Sequence, residues 1–200
     1  MTFEQLLSLF MLSFVAAWTP GPNNALVASS GARFGIRRTL PHVAGIGIGF
    51  PVMVLFIALG LGELFKYSSL LREALRWIGI VVLLWLSWKI AFSGGGAKTE
   101  NRVRPFTFWE SAAFQWINPK GWVMAISITS QYAGGSRPLA NAMIIAAVFV
   151  FLGFTSSFGW TVFGQQMQRW LQTPLRLRVF NISMAALILL SVFAILKAEL

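Results

Sequence analysis

Two short stretches of this chain combine helix breakers with side chains able to hold a polar solute: TPGPNN at residues 19 to 24 and NPK at residues 118 to 120. Pro20 and Pro22 each lack a backbone donor and disfavour a helical residue before them, so carbonyls one turn earlier lose their partners. Gly21 lies between the two prolines, and Asn23 and Asn24 follow with amides that can cap a restarted helix or bind a solute. Asn118 and Pro119 repeat the device, and Lys120 adds a positive charge suited to a carboxylate. The chemistry on offer is recognition rather than bond making. There is no Asp and no Cys, and the six Glu residues (4, 63, 73, 100, 110 and 199) lie at or beyond the ends of apolar runs. An intramembrane metallohydrolase would need an HExxH-like ligand set and an aspartyl type would need paired acids, and neither is present. A serine nucleophile is the remaining enzymatic alternative, without a base at a recognisable spacing. A cation carrier would need oxygen-rich, usually acidic ligands that this core lacks. No metal and no cofactor is implied, and the chain is expected not to be an enzyme.

The elements that must position these residues are membrane spans. Of 200 residues, 56% are hydrophobic, and the mean hydropathy is +0.70. Apolar runs near the roughly 20 residues that cross a bilayer fall at 5 to 29, 40 to 62, 70 to 92, 108 to 131, 138 to 163 and 174 to 197. The first run has no basic leader and continues past its prolines, so it reads as a retained span rather than a signal peptide. The expectation is an all-α membrane protein of six transmembrane helices. A net charge of +10 would point to nucleic acid in a soluble chain. Here the Lys and Arg residues gather between apolar runs, the positive-inside pattern, and no nucleic-acid partner is expected.

Depth decides what the breaks mean. A first helix from Gln5 to Thr19 would measure about 22 Å at 1.5 Å per residue, short of the ~30 Å hydrocarbon core. The chain is therefore still in the membrane at Pro20, where opened backbone survives only against protein or water. A structural kink is the plainer alternative. Lys120, about ten residues into the fourth run, costs roughly 2.5 to 3.5 kcal/mol unless it lines water or reaches the surface along its stem. Gln115 and Asn181 either join the cavity or form interhelical hydrogen bonds. His42, the only histidine, follows Pro41 at the start of the second run and reads as an interfacial residue or, with Lys120, as a candidate proton carrier. Gly45 and Gly49 form a GxxxG pair, and Gly153, Ser157 and Gly159 mark the fifth run as closely packed.

The chain also reads as two halves, residues 1–92 and 108–200, joined by a polar linker at 93–107 that contains three consecutive glycines. Trp18 and Pro20 align with Trp116 and Pro119, and LREALRWIG at 71 to 79 with LRLRVFNIS at 175 to 183. Three spans per half make the second half inverted, so that helices 1 and 4 are the broken pair of two inverted three-helix repeats. Counting Lys and Arg by loop gives ten on one side (33, 37, 38, 89, 98, 102, 104, 169, 176, 178) and five on the other (66, 72, 76, 137, 197). The ten belong in the cytoplasm, which places both termini outside it.

With TPGPNN in the first span, a Gly-rich second span, WLSWKIAFSG closing the third and FWESAAFQWINPKGW opening the fourth, the whole chain resembles the LysE/RhtB amino-acid exporters, most closely the cysteine/O-acetylserine branch. The resemblance implies a secondary exporter of small neutral amino acids or derivatives (cysteine/O-acetylserine, homoserine/threonine or leucine-like). It further implies proton exchange, the bacterial inner membrane and a homodimer. It assigns Pro20, Gly21, Pro22 and Asn23 to the family's first-span motif, and Asn118, Pro119 and Lys120 to its fourth-span motif. Basic amino-acid exporters of the family carry Asp where this chain has Asn23, which argues against a lysine or arginine substrate.

The charge count makes a direct prediction. A cysteine placed at Thr99 should react with impermeant thiol reagents only from the cytoplasmic side. Labelling from outside intact cells would reverse the orientation.

Overall fold

Backbone amides that lack water must find partners within the chain, and in lipid only helices and closed barrels achieve this. The computed structural model describes residues 1–62, 67–92 and 104–197, and it is all-helical over them, with no strand among the described residues. Seven helices follow in order: α1 (Phe3–Trp18), α2 (Pro22–Phe56, continued by a π-helical turn over Ile57–Leu61), α3 (Ser69–Ala91), α4 (Phe108–Ile117), α5 (Pro119–Tyr132), α6 (Pro138–Gln168) and α7 (Pro174–Lys197). Residues 93–103 of the expected linker, with Lys98, Thr99, Glu100 and Arg102, lie outside the described residues. So do Glu63, Lys66 and Glu199.

Local sequence sets the helix starts. Thr2 and Thr107 open α1 and α4 with the same reciprocal cap. The Thr hydroxyl accepts from the backbone N–H three residues on, at 3.2 Å in both, and Gln5 or Glu110 accepts from the Thr N–H at 2.9 and 2.8 Å. The helices α2, α5, α6 and α7 begin at Pro22, Pro119, Pro138 and Pro174, where the missing N–H costs nothing.

Among the described residues, four helical stretches are long and apolar enough to cross a membrane unaided: Pro22–Leu61, Ser69–Ala91, Pro138–Gln168 and Pro174–Lys197. The runs expected as spans one and four are instead delivered in pieces, α1 with the start of α2, and α4 with α5. Phe3, Leu7, Met11 and Val15 form an exposed i, i+4 stripe along α1, as an apolar solvent requires.

The connection between the first two expected spans differs from the expected basic loop. The helix persists through it, broken at one residue, Gly35 (φ 77°, ψ 171°). A straight helix of the length of α2 would run about 52 Å, well beyond a bilayer core. Gly35 divides it into a first arm, residues 22–34, and a second arm, residues 36–56. That conformation suits only glycine. Gln165 of α6 accepts from the Ile36 N–H at 2.6 Å, and Thr39 donates to the Gly35 carbonyl at 2.9 Å, so the break is closed by side chains. The charges of Arg33, Arg37 and Arg38 suggested an open loop, but one glycine and one glutamine suffice.

Small residues let these helices approach. A side chain at Gly31 or Gly164 would strike the Thr161 or Ala28 carbonyl, so the first arm of α2 and α6 cross at backbone contact. A Cβ at Gly45 would lie 2.5 Å from the Phe108 carbonyl, and one at Gly49 2.6 Å from the Ala112 Cα, which seats the second arm on α4. The expected GxxxG role therefore holds. Gly159 leaves room for the Trp18 ring. Two apolar clusters complete the packing. One joins Leu26, Leu83, Phe114, Phe180 and Ile188, and the other joins Leu9, Phe50, Met53, Trp122, Ile145 and Phe149.

Because the obstruction at Gly164 is backbone, Gly164→Val should destabilise the purified protein by about 1 to 3 kcal/mol or more, in the range of overpacked cores. Gly134→Val, with nothing near it, is the control. Equal melting temperatures for the two variants in detergent would refute the close crossing.

Candidate functional site

The first break is an opened turn whose carbonyls are met by side chains. The helix α1 ends at Trp18, and Gly21 precedes α2 in an extended conformation without any side-chain cap. Asn24, expected as a cap or a ligand, reaches back instead. Its amide donates to the carbonyls of Ala17 at 3.1 Å and Thr19 at 2.9 Å. Ser156 of α6 donates to Ala17 at 2.8 Å, and the Lys120 ammonium donates to Thr19 at 2.7 Å. Lys120 thus crosses from one broken helix to the other and neutralises the negative end of α1. Gly21 is what permits this, since a Cβ there would fall 2.9 Å from the Lys120 Cδ.

The second break is narrower. Asn118 is both the last cap of α4 and the first of α5, and its carbonyl accepts from Gly121 and Trp122 at 2.9 and 3.2 Å. Its side chain makes no cap bond. The Oδ1 atom is buried without a partner in a residue only 2% exposed. Asn23 and Gln115 form a reciprocal amide pair (2.8 and 3.3 Å), and Gln115 also donates to the Ser111 carbonyl at 2.9 Å.

A cavity of about 50 Å³ lies between the breaks, lined by Gly21, Asn23, Asn24, Asn118, Lys120 and Ser156, with Phe50 and Phe149 packed edge to face at 5.0 Å on its apolar side. Two uncapped helix starts, at Pro22 and Pro119, bring partial positive charge to it, and the ends of α1 and α4 bring carbonyls. Such a set offers donors to a carboxylate and acceptors to an ammonium. Its present volume holds a water or so, whereas an engineered cavity that takes up benzene measures about 150 Å³. The cavity is smaller than such a ligand.

Of the residues expected in the site, Gly21, Pro22, Asn23, Asn24, Gln115, Asn118, Pro119 and Lys120 are brought together around the two breaks, with Pro20 exposed at the turn. His42 and Asn181 are elsewhere, in a second cavity of about 470 Å³. His42 is 1% exposed, packed on Phe106 at 5.0 Å, with neither ring nitrogen hydrogen-bonded. Ser156 was missed. The signal was the run TSS at 155 to 157, three hydroxyls in one apolar stretch.

Residues 14–197 match the family described as LysE type translocator. The chain belongs to the LysE family. Among curated relatives, the cysteine/O-acetylserine efflux protein of Klebsiella pneumoniae subsp. pneumoniae is 32% identical over 166 residues, 82% of this chain and 84% of that protein. That of Salmonella choleraesuis is 32% identical over 173 residues, 84% of this chain and 87% of the relative. The Escherichia coli O1:K1 protein of the same description is 30% identical, with the same coverage. No solved structure matches this chain.

In this LysE family member, the carbonyls of Ala17 and Thr19 depend on Asn24. Asn24→Leu keeps the volume and removes both donors, and it should cost about 1 to 3 kcal/mol, the usual penalty for stranding buried polar groups. Ser156→Ala, which leaves Ala17 one donor, should cost less. A Leu variant that melts with the wild type would show that these bonds carry no weight.

Proposed function

We propose that this protein is a secondary active exporter of small neutral amino acids of the cysteine or O-acetylserine type, working in the bacterial inner membrane by alternating access. The carrying observation is the Lys120 ammonium on the Thr19 carbonyl, which ties the two breaks together. A zwitterion can exchange with that bond. Its carboxylate draws Lys120 and the helix starts at Pro22 and Pro119, while its ammonium takes the carbonyls that Lys120 leaves. The Asn118 Oδ1 atom, which has no partner, is a further acceptor for it. The similarity to cysteine/O-acetylserine efflux proteins supports this substrate class, and Asn23 in place of an acid supports a neutral substrate.

In this reading α1 with the first arm of α2 forms span one, and α4 with α5 forms span four, of two inverted three-helix repeats. The matched Thr caps of α1 and α4 support it. So does the packing of α2 against α6 and α3 against α7, since a pseudo-twofold axis brings each helix to its counterpart. The halves then rock about the breaks. Proton exchange drives export, with Lys120 and His42 as the candidate carriers, both termini are periplasmic, and the working unit is a homodimer.

Inside-out vesicles with an imposed proton gradient, offered labelled O-acetylserine and a panel of other amino acids, test the whole reading. Accumulation of small neutral amino acids is expected, and Lys120→Met should abolish it in a folded, inserted protein. Lys120→Arg should recover it only in part, because a planar guanidinium replaces a compact ammonium. Normal transport by Lys120→Met would remove the residue from the mechanism, and absence of accumulation for every amino acid would remove the exporter reading itself.

A further inference from the structure

A glycine in a helix needs a reason, because alanine is the more stable choice there. The usual reasons are a left-handed backbone or a neighbour too close for a Cβ. Among the described residues, three glycines line the cavity between the breaks: Gly21, Gly121 and Gly153. A Cβ at Gly21 would fall 2.9 Å from the Lys120 Cδ, and one at Gly153 would fall 3.3 Å from the Gly47 Cα, so both positions are pressed by a neighbour. Gly121 has neither reason. It lies in the first turn of α5, and the glycines with positive φ are Gly35, Gly60 and Gly135. The nearest atoms to a Cβ at Gly121 would be the Gln115 carbonyl oxygen and the Phe50 ring edge, both at 3.5 Å, an ordinary contact distance. The backbone there would accept alanine. What a side chain would take is room in the cavity, which Gly121 and Phe50 both line.

The lining of this cavity is divided. Polar groups come from the two breaks, whereas Ile46, Phe50, Met124 and Phe149 make an apolar face. A molecule that commits its charged groups to the breaks must turn its side chain to that face. Gly121 stands where the two meet, since it directly follows Lys120 in the chain and its missing Cβ would touch Phe50. At about 50 Å³ the cavity has little volume to spare, so a methyl group at this junction is felt by whatever enters.

We propose that Gly121 is a specificity-determining residue, and that the space left by its absent side chain receives the side chain of the substrate. The pocket so formed takes an α-amino acid whose side chain extends beyond its β-carbon and carries no charge, because the apolar face offers no counter-charge. The assignment rests on the exporter reading and adds to it the atoms that measure the side chain.

Gly121→Ala tests this in the full-length protein. In inside-out vesicles, kcat/KM for O-acetylserine relative to alanine should fall about tenfold or more, the discrimination that one methylene exerts in an apolar pocket. The purified variant should melt no lower than the wild type, because no neighbour is displaced and helix propensity improves. Gly153→Ala, opposed by the Gly47 backbone, should melt lower. Adding Phe50→Leu to Gly121→Ala removes the ring that faces the new methyl, and it should return the ratio at least partway to the wild-type value. Such a rescue separates lost space from a disturbed α5, which a change at Phe50 would not repair. A lowered melting temperature for Gly121→Ala overturns the assignment, and so does a reduced ratio that Phe50→Leu fails to recover. An unchanged ratio in vesicles that accumulate amino acids removes Gly121 alone and leaves the exporter standing. Wild-type vesicles that accumulate no amino acid remove both.

Discussion

Everything in this fold depends on one requirement: a polypeptide that stops being helical inside hydrocarbon must find hydrogen-bond partners for the groups it opens. At the first break the donors to the Ala17 and Thr19 carbonyls come from Asn24 on the same strand of chain, Ser156 on α6 and Lys120 on the other broken helix. Three elements are thereby fixed to two carbonyls. The prolines open the backbone, and the amide, the hydroxyl and the ammonium make the opening tolerable. The break is therefore a structural joint between these elements.

The second constraint is proximity. Lipid supplies no hydrophobic drive between helices, so association relies on close packing and on polar contacts. The first arm of α2 meets α6 at Gly31 and Gly164 with backbone against backbone. Only this approach brings Ser156 to Ala17 and Gln165 to Ile36. Small residues and hydrogen bonds are therefore parts of one device, the former setting the distance at which the latter form.

Much of this was legible in the sequence, and for definite reasons. Proline, asparagine and lysine inside apolar runs are costly enough to require an explanation, so TPGPNN and NPK pointed to breaks that the fold contains, and GxxxG pointed to close contacts that exist. The continuous helix across residues 33–38 was not legible because clustered arginines resemble a loop, while a one-residue break such as that at Gly35 leaves no compositional trace. The burial of His42 was invisible for a related reason. Pro41 and the nearby arginines say nothing of burial, which depends on Phe106, 64 residues away in the chain. Ser156 was hidden because serine is common in membrane helices, and only the facing carbonyl shows which serine matters. Cavity size has no sequence signature at all.

The small space between the breaks has a consequence for when the protein works. If the proposed substrate settles there, it must first separate Phe50 from Phe149 or displace Lys120, and that cost is subtracted from its binding energy. Apparent affinity is lowered by the fraction of molecules that are open, so occupancy stays low until the internal pool rises. For the exporter proposed above this is an advantage. In the exporter proposed above, the closed packing would act as an overflow threshold that spares the ordinary pool and passes only the excess.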